Sequence, residues 1–96
     1  MTFDQFLHLP RIKPALALFF GPRCVPCERL KPKLRAECSD AGIELCEFDA
    51  SLEQGHLRGL GVRSVPAVIV VSTEGEAQVL FCGDKTLEEI KELLNV

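Results

Sequence analysis

The apolar positions of this chain change their period along its length, and the changes mark its elements. Phe3, Phe6 and Leu7 share one face of a short helix over residues 2–9, with Thr2 and Gln5 at capping-box spacing and Pro10 as its stop. Residues 14–20 are apolar almost without a break, as in a central strand covered on both faces. Gly21-Pro22-Arg23 interrupts that run, and a charged helical pattern follows from about Cys24 to Cys38, ending before Gly42. Residues 43–49 read as a second strand. Ser51 and Gln54 repeat the capping-box spacing and predict a short helix that ends near Gly59 or Gly61. Pro66 opens a third strand over residues 67–72, and Glu74-Gly75 turns the chain into a fourth over residues 77–81, a hairpin. Thr86 and Glu89 give a third capping box, ahead of a last helix with Leu87, Ile90, Leu93 and Leu94 as its apolar stripe. The order is α-βα-βα-ββ-α, which predicts two parallel crossovers, then a hairpin and a covering helix.

Ninety-six residues make a single domain, 1–96. A chain of that size buries about 60–65% of its unfolded surface, enough for one core and no separate substrate domain. The composition, 47% hydrophobic and 26% charged, is that of an ordinary globular protein. Met1-Thr2-Phe3-Asp4 has no basic leader region, so no secretory signal is expected. No stretch approaches the ~20 apolar residues of a membrane span.

The net charge of −3 is unevenly spread, because residues 1–36 carry most of the Lys and Arg and residues 37–96 most of the Asp and Glu. A mixed solvated surface accounts for that, and so would a basic half gathered round Cys24 that helps hold its thiolate. No aromatic residues interleave with the basic ones and the overall sign is acidic, so nucleic acid is not an expected partner.

Cys24-Val25-Pro26-Cys27 stands where the apolar run has ended and the helical pattern begins. Two cysteines so spaced can close a small disulfide ring and open it again. A thiol at the first turn of a helix sits in a positive backbone field and deprotonates more easily, which makes a nucleophile. Cys38, Cys46 and Cys82 bring the cysteine count to an odd five, so at least one thiol has no partner within the chain. That pattern is unlike a secreted framework and points to a reducing, cytoplasmic home. Cys38 is expected to end its helix and Cys46 to pack or lie on an edge strand. Four of the cysteines could ligand zinc, but only Cys24 and Cys27 have ligand spacing, so no metal site is expected.

Four features in order resemble the thioredoxin family over almost the whole chain. They are the strand before Cys24, the Cys24-x-Pro26-Cys27 motif, Pro32 inside the following helix, and Leu60-Gly61-Val62-Arg63-Ser64-Val65-Pro66, with Gly83 ahead of the last helix. The resemblance implies a three-layer α/β/α fold on a four-stranded mixed sheet that lacks the family's usual first strand, leaving residues 43–49 at a sheet edge. It implies a cis Val65–Pro66 bond packed against the cysteine pair. The backbone of Val65 would then be free to pair with an extended substrate, with Pro66 and the Gly83 loop beside it.

Against the family pattern, Arg23 stands in place of the usual tryptophan and Val25 in place of a glycine. Leu18 and Leu45 replace a buried aspartate and its neighbouring lysine, a coordinated change because a lone buried charge is costly.

The resemblance implies a protein-disulfide reductase that needs no cofactor beyond a redox-active Cys24–Cys27 disulfide. Its partners would be protein disulfides and a thioredoxin-reductase-type or other dithiol electron donor, with no membrane and as a monomer. Cys24 would attack, helped by the helix N-terminus and Arg23, and Cys27 would resolve the mixed disulfide. Pro26 removes a backbone donor beside the ring, which leans toward a reductant. Two alternatives remain. Ser64-Val65-Pro66 and Cys82-Gly83-Asp84 resemble glutathione-binding elements of glutaredoxins, and a binding subunit could keep the fold without the chemistry.

Overall fold

The computed structural model describes residues 1–94, so the last two positions of the expected 1–96 domain lie outside the described residues. Four strands form one sheet in the order β2-β1-β3-β4: β1 (Ala15–Phe20), β2 (Leu45–Asp49), β3 (Ala67–Val71) and β4 (Ala77–Cys82). Helices α1 (Phe3–Leu7), α2 (Val25–Ala41), α3 (Gln54–Gly59) and α4 (Leu87–Leu94) cover its faces. This is the three-layer mixed-sheet fold that the resemblance implied, with β2 at an edge.

The central strand explains the two-sided core. Along β1, Ala15, Ala17 and Phe19 face one cluster while Leu16 and Leu18 face the other, because successive strand side chains alternate. The first cluster is aromatic. Phe3 of α1 packs edge-on against Phe19 at 5.0 Å and Phe48 at 5.5 Å, and Phe6 meets Phe48 at 5.5 Å. Ala15, Ala17 and Ala67 keep the sheet surface low beneath those rings. The second cluster joins Leu16, Leu18, Val68 and Phe81 to Leu30 and Leu34 of α2 and Ile90 of α4.

One expected crossover is corrected. β1 and β2 run parallel across α2, but β3 lies antiparallel to β1. A parallel return needs a connection of a dozen residues or more, usually a helix running the length of the sheet. The 50–66 connection is long enough for that, but its helix α3 has only six residues, about 9 Å and less than a strand, so the chain re-enters the sheet at the end where β2 stops.

Three local expectations also change. Ser51 does not cap α3: Asp49 accepts hydrogen bonds from the Ser51 N–H and hydroxyl first, and residues 50–52 close as a 3₁₀ turn. Cys38 does not end α2, which continues to Ala41 and stops at Gly42 in the left-handed conformation (φ 68°). Along α4, Ile90 is buried, but Leu87 and Leu93 each remain 37% exposed, so the stripe is only partly covered. The outer capping boxes form as read, with Thr2 and Gln5 bonded reciprocally and Thr86 and Glu89 likewise. The β3–β4 hairpin carries a bulge at Leu80, since Val68 pairs with Phe81 but Ile69 with Val79.

Candidate active site

β1 delivers the chain to one end of the sheet, where Gly21, Pro22 and Arg23 turn it into α2. A side chain at Gly21 would press on Val65 Cγ2, since a Cβ there would lie 3.1 Å from it. Arg23 adopts a positive φ of 52°, an uncommon conformation for a residue with a side chain. Cys24 is then the N-cap of the 17-residue α2, with its Sγ 3.2 Å from the Cys27 N–H that points at it. That amide is one of the orphan donors of a helix start, and it favours negative charge on the sulfur. Pro26 at the second helical position brings no N–H of its own.

Cys24 and Cys27 are joined by a disulfide. The two sulfurs differ in access: Cys24 is partly exposed and Cys27 fully buried. Val25, 60% exposed, and Pro26 form an apolar rim beside the ring.

The Val65–Pro66 bond is cis, and the Val65 carbonyl oxygen lies 3.9 Å from Cys24 Sγ. Pro66 is buried, and its carbonyl accepts a hydrogen bond from the Gly83 N–H at 2.8 Å. The cysteine helix, the start of β3 and the β4–α4 loop therefore meet at one place. Lys33 fixes that junction from α2, donating to Asp84 Oδ1 at 2.8 Å and to the Lys85 carbonyl at 2.6 Å. The lysine holds the Asp84 carboxyl below its ordinary value, chiefly through this hydrogen bond. Sequence reading missed the clamp, whose partners lie 51 residues apart with no local pattern joining them.

Below the ring the floor is apolar. Pro32 is accommodated inside α2, and Cys27, Leu30, Leu34 and Cys38 are buried along the helix, with Glu37 buried near its far end. Leu30 and Leu34 pack with Leu18, which is fully buried. Leu45 packs against the same cluster from β2, where it pairs with Leu16. The pairing partner of Leu18 is Glu47, and its carboxylate is gripped by the Arg35 guanidinium through two hydrogen bonds of 2.6 Å. That bond holds the Glu47 carboxyl below its usual value. The polar pair on this face of the sheet therefore stands at the edge strand and not beneath the cysteines.

The remaining thiols are set apart from this site by their surroundings. Cys38 is buried, and desolvation pushes its pKa up to about 11. Burial also raises that of Cys46 on β2. Cys82 is exposed, at the end of β4 beside Gly83. Among the described residues no three His, Cys, Asp or Glu gather where a metal ion could be held, and no helix is long and apolar enough to cross a membrane.

A cysteine pair at a helix start, set against a cis-proline at the end of a mixed four-stranded sheet, is what the thioredoxin family is built on. The chain belongs to that family, whose model, described as Thioredoxin, matches residues 1–96. It is 30% identical over 82 residues to the thioredoxin of Bacillus subtilis (strain 168), a match covering 83% of this chain and 78% of the relative. With its cysteines close enough to bond, the chain is a thiol–disulfide oxidoreductase.

Proposed function

We propose that the chain reduces protein disulfides through Cys24 and Cys27. The observation that carries this reading is the asymmetry of the pair: a partly exposed sulfur at the N-cap of α2, and a fully buried one behind it. In the dithiol form, the Cys24 thiolate attacks one sulfur of the substrate disulfide. A mixed disulfide forms and the other substrate sulfur leaves as a thiol once protonated. Cys27 then loses its proton and attacks Cys24 Sγ, closing the ring and releasing the second substrate thiol. Two electrons pass from the dithiol to the substrate, and an external dithiol donor of the thioredoxin-reductase type restores it.

The Val65 backbone, beside Cys24, pairs with an extended substrate segment, while Pro66 and Gly83 fix the wall of that groove. Leu18 and Leu45 supply the apolar floor, and Val25 and Pro26 the rim. Pro26 favours the reducing direction because it withholds a donor that would otherwise stabilise the Cys24 thiolate further. The three free thiols fit a reducing compartment such as the cytoplasm.

Insulin reduction driven by dithiothreitol tests the reading. The protein is expected to accelerate precipitation of the insulin B chain catalytically. Binding of insulin without acceleration would leave only a non-catalytic binding subunit.

Arg23, beside Cys24, supports the thiolate by charge. Arg23→Glu is expected to raise the thiol pKa of Cys24, seen as a shift of the thiolate absorbance titration to higher pH. An unchanged titration would show that the guanidinium acts on solvent alone.

A further inference from the structure

Among the described residues, four arginines differ from the other basic residues in making no hydrogen bond, ion pair or ring contact. Arg11, Lys31, Lys33, Arg35 and Lys91 each lie within ion-pair distance of a carboxylate. Lys13 reaches the Gly42 carbonyl and Lys85 lies over the Phe81 ring. Arg23, Arg29, Arg58 and Arg63 are exposed and make no hydrogen bond, ion pair or ring contact among the described residues, although the Arg29 charge helps hold the Asp84 carboxyl down.

Two of them flank Cys24 and two lie on the side of Val65. Arg23 and Arg29 line a depression of about 390 Å³ together with Cys24. Arg58 and Arg63 line a cleft of about 430 Å³ together with Val65. One residue of each hollow comes close to the other, since Cys24 Sγ lies 3.9 Å from the Val65 carbonyl oxygen. The acids nearby are already engaged. Glu28, which shares the depression, sits 3.5 Å from Lys31, and Asp84 is held by Lys33. Asp49 accepts from Ser51, and Glu53 accepts from the Phe3 N–H at 3.1 Å. Asp49 and Glu53 keep their charges, since their donors are neutral, but four arginines outnumber them, so a chain with a net charge of −3 presents an excess of positive charge at its redox end.

We propose that the substrates of this site are disulfides carried on acidic polypeptide segments, a specificity that rests on the reductase reading above. An extended segment laid along Val65, with its sulfur at Cys24, runs from one hollow to the other. Its carboxylates meet Arg58 and Arg63 on one side of the disulfide and Arg23 and Arg29 on the other. Guanidinium suits this task because its planar fork binds carboxylate through two parallel hydrogen bonds. The field also steers an acidic segment to this end of an otherwise acidic molecule, over a range of about 8 Å at physiological salt.

The test uses three peptides with the same disulfide, flanked by Glu, by Gln or by Lys. The wild-type protein is expected to reduce the Glu peptide with a kcat/KM about tenfold above that of the Lys peptide at low ionic strength. The preference should shrink as salt is added. Arg58→Glu/Arg63→Glu should collapse or invert the ratio, its fold being checked by far-ultraviolet circular dichroism.

Equal rates on the Glu and Lys peptides, with the Gln peptide reduced, would overturn the charge proposal and leave the reductase reading standing. Failure of the wild type to reduce even the Gln peptide would overturn the reductase reading itself. Glutathione disulfide, which also carries carboxylates, is the remaining arm. If the double substitution affects its reduction and leaves the peptide ratio untouched, the cleft reads a small thiol and the polypeptide proposal fails.

Discussion

Cys24→Ser is expected to lower insulin reduction to the rate of dithiothreitol alone, and Cys27→Ser to accumulate a mixed disulfide on Cys24. The two substitutions differ because the two sulfurs occupy different places. Cys24 is the one that a substrate can reach, and the Cys27 amide and the start of α2 lower the cost of its charge. Cys27 is fully buried and acts only on a sulfur already attached next to it. Iodoacetamide gives an independent reading on the reduced protein at neutral pH. Cys24 should be labelled first. A thiol pushed to about 11 leaves about one Cys38 in 10,000 as thiolate, and Cys46 is raised in the same sense. Cys82 is exposed but ends a strand and caps no helix, and should follow Cys24. Labelling of Cys38 or Cys46 as fast as Cys24 in the folded protein would refute the assignment.

Leu18→Asp is expected to destabilise the protein and to quicken the second half of its reaction. Leu18 is fully buried among Leu16, Leu30, Leu34 and Val68, and none of these can pair with a carboxyl group. The cost is about 2–4 kcal/mol, from lost packing and an unsatisfied buried polar group. The gain is a proton acceptor on the side of the sheet that Cys27 faces. In the natural chain that side is apolar, and desolvation makes the Cys27 proton harder to remove. Attack by Cys24 should therefore stay fast at neutral pH while release from the mixed disulfide lags and rises steeply with pH. Stopped-flow rates for both steps from about pH 6 to about pH 9 separate the effects. If Leu18→Asp leaves the resolving rate and its pH profile where they were, this position has no part in proton transfer.

What the sequence disclosed and what it hid follow from the range of the interactions concerned. The strand at β1 was legible because it is covered on both faces and so reads as an unbroken apolar run. The start of α2 was legible because Gly21 and Pro22 break the strand and the charged helical period begins at once. Capping boxes succeeded at Thr2 and Thr86, where the cap has no competitor, and failed at Ser51, whose N–H is taken by Asp49. Strand direction was hidden, because a two-residue period is the same whichever way the strand runs. Two ion pairs were hidden as well, Lys33–Asp84 at the site and Arg35–Glu47 at the edge strand, because each joins positions with no shared periodicity. The arginines of the cleft were visible as residues but not as a group, since α3 and the segment before Val65 had first to be folded against the end of β1.

The position of β2 at the border of the sheet has a consequence for how copies of the protein meet one another. A border strand offers a row of backbone donors and acceptors to any chain that lies alongside it, and so invites aggregation. Here the row is short, five residues, and Glu47 and Asp49 punctuate it. Two such borders brought together would set carboxylates against carboxylates. Arg35 pairs with Glu47, and the Asp49 carboxylate is left to repel its twin. An acidic border strand of this kind disfavours pairing with its own copy.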